Sequence, residues 1–187
     1  TMTELIEYYK GIFTILSSCA SRQLEEVTFR RTVIPVQELL DAAGKYFKKL
    51  MKNRSERIEL EIEPMEAKVI GDVNQLRFLL ENLIDEALTV REDGVIRLQA
   101  RKDNEYIRFL FTDTRREKSV EELNQLFYPN LARMTSGEKG ELRGTEYLVC
   151  KQIIRDHDEF AGRRGCRINA EPAEGGGFTV YFTIPRR

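Results

Sequence analysis

Apolar residues recur along this chain with two different periods, and the switches between the periods mark out its elements. In "TELIEYYKGIFTILSSCASRQLEE", Leu5, Tyr9, Ile12, Leu16 and Cys19 are separated alternately by four and three positions, a coiled-coil-like seam that Ile6, Phe13 and Ala20 widen. This predicts a long opening helix over residues 1–26. Its stripe needs a cover, either the body of the same domain or a second chain. "VTFRRTVIPV" follows as a short extended segment. Pro35 then opens a helix, "VQELLDAAGKYFKKLMKN", with Leu39, Leu40, Ala43, Tyr46, Phe47 and Leu50 on its apolar face and lysines near its end. "RIELEIEP" alternates Ile58, Leu60 and Ile62 with charges, the pattern of a half-buried strand stopped by Pro64. "AKVIGD" is a brief strand leading into "GDVNQLRFLLENLIDEALTV", whose Leu76, Leu79, Leu80, Leu83, Ile84 and Ala87 form one helical stripe. On that projection Glu81 and Asp85 fall on the wet side, while Asn82 and Glu86 flank the stripe beside Leu79.

The second half reads as a β-hairpin, Val95–Arg101 and Tyr106–Asp113 about a turn near Asp103-Asn104. A short helix around "SVEELNQLF" comes next. The breaker-rich stretch "YPNLARMTSGEKGELRG" is too long for a simple connection. A helix, "TEYLVCKQIIRDH", and two strands about the Gly-rich turn in "AEPAEGGGFTVYFTIP" close the chain. Strands and helices are intermixed, yet the last strands are hairpin-like and lack helical crossovers. The expected fold is therefore α+β, a two-layer sandwich in which one mixed sheet carries helices on one face, preceded by the long helix.

Length and composition narrow the function. The 187 residues can bury a sizeable core, and 41% hydrophobic with 33% charged residues is ordinary for a globular protein. A formal net charge of −1 argues against nucleic-acid binding by broad electrostatic attraction. No apolar run approaches the ~20 residues of a membrane span, and no secretory signal pattern opens the chain. Cys19, Cys150 and Cys166 are far apart with no CxxC, the usage of reduced cysteines in the cytoplasm. Thr1 precedes Met2, consistent with a piece of a longer polypeptide.

Most catalytic chemistry finds no footing in the sequence. The sole histidine is His157, so a Ser-His or Cys-His pair would have to use it, and no His/Cys metal spacing exists. Its plain reading is a helix-terminal histidine near carbonyl groups. "EGGGF" precedes a strand and reads as a tight hairpin, not a phosphate loop. Asn82 and Glu86 could together offer oxygens to a hard cation such as Mg²⁺, although spacing alone favours a pair that borders solvent.

The order of the segments adds a resemblance. From about Val27 onward the chain resembles the C-terminal ATP-binding domain of sensor histidine kinases, whose Bergerat-type fold is shared with gyrase-type and Hsp90-type ATPases. "GDVNQLRFLLENLIDEAL" resembles that family's N box, and "LFTDTRREKSVEELNQLFYP" its first glycine box, DxGxG, with the segment that follows. "GELRGTEYLVCKQIIRDH" is similar to the second glycine box and its helix, and "AEPAEGGGFTVYFTIP" to the closing strand pair. The resemblance implies two parts: residues 1–26, similar to part of a dimerisation hairpin, and residues 27–187, the ATPase-like domain. It also implies a nucleotide site at Asn82, Glu86, Asp113 and Gly144, with Asp113 reading the adenine amino group and Glu86 in the place of the Mg²⁺-holding asparagine. Mg-ATP is the implied cofactor if the site functions.

The departures fall where polyphosphate chemistry is most demanding. Arg115 and Glu117 stand where the first box has glycines, Leu142 and Glu146 where the second has them, and Tyr147 replaces a leucine. Glycines let backbone N–H groups close on an anion, whereas side chains obstruct and acids repel it. Lys139, Arg143, Arg115 and Arg116 are a possible counter-charge, with a solvated loop the commoner fate of such cations. No histidine lies at a phosphoacceptor position. The sequence therefore points to a degenerate, non-catalytic signalling module that takes as partner a protein, upstream domains of its own polypeptide, or a second copy through the first helix. The alternatives are an active divergent kinase with the segment Tyr128–Arg143 as its lid, and a domain binding a different small ligand.

Overall fold

The computed structural model describes residues 1–10, 29–129, 135–136 and 142–187. Residues 2–10 are helical (α1) and present Met2, Leu5, Ile6 and Tyr9 to solvent. Ile12, Phe13, Leu16, Cys19 and Ala20, which complete the expected seam, lie outside the described residues.

The body begins with β1 (Thr32–Pro35), which pairs antiparallel with β3 (Lys68–Gly71). Pro35, extended at φ −62°, is the N-cap of α2 (Val36–Met51), whose Leu39, Leu40, Ala43 and Phe47 are buried. β2 (Ile58–Ile62), β4 (Gly94–Asp103), β5 (Tyr106–Asp113), β9 (Phe178–Pro185) and β8 (Ile168–Pro172) lie side by side in that order as a five-stranded sheet. β2 runs parallel to β4 and the other pairs are antiparallel, so the sheet is mixed as the segment order implied. Alternation places Ile96, Leu98, Ile107, Phe109, Val180 and Phe182 on one face. There Phe109 and Phe182, paired in register, stack at 4.8 Å.

That face is covered by α2, α3 (Val73–Ala87) and α5 (Glu146–Phe160), with α3 packed against both of the others. The remaining elements are α4 (Val120–Gln125), closed by a capping box of Ser119 and Glu122, and a small pair, β6 (Thr135–Ser136) with β7 (Leu142–Arg143). Among the described residues no helix is long and apolar enough to cross a membrane.

α3 starts where it does because Asp72 accepts from the backbone amides of Asn74 and Gln75 through one oxygen and of Arg30 through the other. The amide of Asp72 in turn donates to Nε2 of His157, and Nδ1 of His157 lies 2.8 Å from the Ile153 carbonyl. This assigns the proton to Nδ1 and pins the end of α5 to the start of α3. His157 is thus a buried structural residue near a carbonyl, and its second partner, the Asp72 amide, has no signature along the chain.

Candidate functional site

The carboxyl end of β5, flanked by the amino ends of β4 and β9, meets the last turn of α3, and the side chains marked by the sequence gather there. Asp113 ends β5, in register with Ile96 on one side and Phe178 on the other, which fixes its direction. It is 4% exposed. Glu86 lies on the last turn of α3 and is half-buried. Together with Thr89, Phe111, Arg116, Lys118, Tyr147 and Phe178, these two acids line a cavity of about 50 Å³. Asn82, one turn earlier, is buried and donates from Nδ2 to the Phe78 carbonyl at 2.8 Å, so it braces the helix. Gly144 keeps the left-handed backbone, φ +83°, that leads the chain into α5.

Arg115 dominates this site. Its side chain is 1% exposed and lies against Asp113: Nε donates to Oδ1 and Nη2 to Oδ2, both at 2.9 Å. Nη2 also donates to the Ala87 carbonyl, and Nη1 to those of Val90 and Glu92, at 2.6, 3.1 and 3.0 Å. A guanidinium has five N–H donors, and all five are engaged. The backbone amide of Arg115 adds a further bond to Asp113 Oδ1. Space for the side chain comes from Gly94, at φ +146°, where a Cβ would stand 2.5 Å from Arg115 Cγ. The expectation that Arg115 joins a solvated group of cations is therefore wrong. A carboxylate and three carbonyls turned inward meet every donor of a group that hydrates more weakly than an ammonium.

The other end of the cleft is also lined by the protein's own groups. Glu146 is the first residue of α5, where helix amides and dipole favour negative charge, and its Oε2 is buried with no hydrogen-bond partner among the described residues. Thr145, at the N-cap, supplies no side-chain bond. Tyr147 is buried edge-on against Phe127, centroids 5.7 Å apart. The glycine turn is the hairpin expected, and a Cβ at Gly177 would collide with the Asp113 carbonyl, so the turn closes directly onto the site. Arg116 and Lys118 line the cavity, and Lys118 sits over the Phe178 ring. Lys139 lies outside the described residues.

The expected division of charges along α3 needs correction. Glu81 and Asp85 are half-buried, and Asp85 accepts from the Tyr46 hydroxyl at 2.6 Å. Burial pushes the Asp85 carboxyl above the ordinary carboxylate range and nearby Glu146 adds to this, against the opposing Tyr46 bond. No three His, Cys, Asp or Glu side chains gather into a metal cage among the described residues. Asp113, engaged by Arg115 through both oxygens, offers little to an incoming group, and 50 Å³ is small beside the ~300–1,000 Å³ of typical ligand pockets.

The structure brings Glu86 and Asp113 to one cavity, and the contact that sequence reasoning missed is that of Arg115 with Asp113. The available signal was the Asp-x-Arg spacing, because an aspartate side chain readily accepts from the backbone amide two residues on, as Asp113 does from Arg115. Among known families, the one described as "Histidine kinase-, DNA gyrase B-, and HSP90-like ATPase" matches residues 71–187. No curated protein matches the chain. Solved structures similar to it include three of histidine kinases. The catalytic domain of histidine kinase ThkA has TM-score 0.65 at 21% identity, over 84% of this chain and 96% of that one. A mycobacterial sensor histidine kinase, MprB, has TM-score 0.63 at 19% identity, over 84% and 99%. ThkA in complex with the response regulator TrrA has TM-score 0.64 at 19% identity, over 100% of this chain and 52% of that one. At such identities the likeness concerns the fold.

Proposed function

The chain belongs to the histidine kinase-, DNA gyrase B- and HSP90-like ATPase family, and we propose that it is a non-catalytic regulatory or protein-interaction module of a two-component signalling protein. The observation that carries this reading is the buried Arg115 guanidinium held against both oxygens of Asp113. Asp113 is the acid that the resemblance assigns to the adenine amino group, and here it is neutralised from within. Glu146 supports the reading at the opposite end. A carboxylate at the start of α5 satisfies the helix dipole that would otherwise attract phosphate, and it repels a polyanion. With both ends engaged, the body of the domain retains its fold as a scaffold for partners in the cytoplasm. ThkA was captured with a response regulator; the partner proposed here is a protein of that kind, upstream domains of the same polypeptide, or a second copy.

Calorimetric titration with Mg-ATP and with ADP tests this. The expected outcome is no heat of binding up to millimolar nucleotide. Micromolar binding that Asp113→Ala abolishes would instead establish an active, divergent kinase domain. A thermal-shift screen of small molecules covers the remaining reading, since a ligand selective for the folded state raises the melting temperature.

A further inference from the structure

We propose that Arg115 is a resident ligand of the cleft, held in a guanidinium socket, and that its release is the step that opens the base-recognition end. This rests on the reading above, that the protein's own side chains close the site. The socket has the features of a built binding site. Its acceptors come from three separate places: the end of α3 at Ala87, the α3–β4 connection at Val90 and Glu92, and the end of β5 at Asp113. Each acceptor takes a different N–H of one planar group, so an ammonium with three donors and no plane could not satisfy them all. The missing Cβ at Gly94 shapes the passage for the side-chain stem. Arg115 lies outside regular structure, two residues after β5 and beside the surface residues Arg116 and Glu117, so no helix or strand has to break for its side chain to leave the socket.

Emptying the socket changes both shape and charge. Asp113 would be left as a buried carboxylate facing a void next to the existing cavity, with Phe111 and Phe178 as apolar walls. Such a space favours a flat heterocycle that places an amino edge on the acid, and it penalises anything lacking that edge. Arg115 also ties the α3–β4 connection to β5 through the Val90 and Glu92 carbonyls, so the same event removes those two ties and leaves Asp93 and Gly94 bonded to Arg57. The filled and empty forms therefore differ on the surface as well as in the cleft, which a partner protein could sense.

The test uses Arg115→Ala in the full chain, with wild type in parallel. Removing one partner of a buried pair should lower the melting temperature by about 10 °C. Tens of millimolar methylguanidinium should restore most of that loss, and equimolar methylammonium should not. Adenine, followed by calorimetry, should bind the variant at least tenfold more tightly than wild type. Selective rescue together with adenine binding supports the proposal, and failure of either overturns it. If Arg115→Ala does not fold, Arg115→Lys retains the stem but not the five donors, and hydrogen exchange at residues 88–94 becomes the readout. Exchange at least tenfold faster than wild type supports the socket, and unchanged protection sinks it. Binding of ADP by wild type would refute the closed-cleft reading itself, an outcome distinct from failed rescue in the variant.

Discussion

Asp85 shows how a single side chain acquires a cost that its position on a helical projection hides. A projection at 100° per residue measures distance from the stripe of the same helix, and it placed Asp85 in water. The flank is instead covered by α2, whose Tyr46 donates to it. Burial, then the proximity of Glu146, raises the carboxyl above its unfolded value. The folded protein therefore binds this proton more tightly than the unfolded chain does. Its contribution is most favourable below the ordinary carboxylate pKa of about 4 and declines as the pH rises through the raised folded value. Asp85→Asn keeps an oxygen acceptor without the charge, so it should gain stability relative to wild type between pH 4 and pH 7. Urea midpoints for both proteins at the two pH values check this, and a constant difference would contradict it. Arg115 teaches the converse lesson. Its charge was legible, but whether a cation so placed faces water or a carboxylate depends on which carbonyls the fold turns towards it.

Elements meet in this protein at points where the sequence gives a glycine or a polar group no evident purpose. Gly71 is such a point: a Cβ there would stand 2.8 Å from the ring of His157, which bonds to the amide of Asp72. The glycine before α3 and the histidine near the end of α5 thus form one joint between segments 85 residues apart in sequence. Gly71→Ala should destabilise the fold by about 1–3 kcal/mol through overpacking, read as a shift in the denaturant midpoint at unchanged slope. A midpoint within error of wild type would mean that the imidazole moves aside freely. The extents of α2, α3, α5 and the β4–β5 hairpin were legible because their periods persist over many residues. The joints between them were not, because a single glycine or histidine has no period.

The whole molecule is a sandwich whose described core is formed without the first helix. Met2, Leu5, Ile6 and Tyr9 contribute nothing to it, and Leu5 and Ile6 are each 49% exposed. Removing residues 1–10 should therefore leave the melting temperature within about 2 °C of the full chain, which thermal denaturation measures directly. A large drop would place that helix against the body. Light scattering on the same pair tests the expected dimer role, since a mass unchanged by the truncation would remove it.

The sequence by itself determined the periods, and through them the kind of the main elements, the sheet with its helical cover, and the family resemblance carried by segment order, although not the small β6–β7 pair inside the breaker-rich stretch. Through that resemblance it also placed charged and bulky residues where glycines are expected around the cleft. Only the tertiary structure decided what those residues do. Periodicity follows from local backbone geometry and is written along the chain. By contrast, the partner of a buried charge is fixed where distant segments converge, and there Arg115 found Asp113 together with the carbonyls of Ala87, Val90 and Glu92.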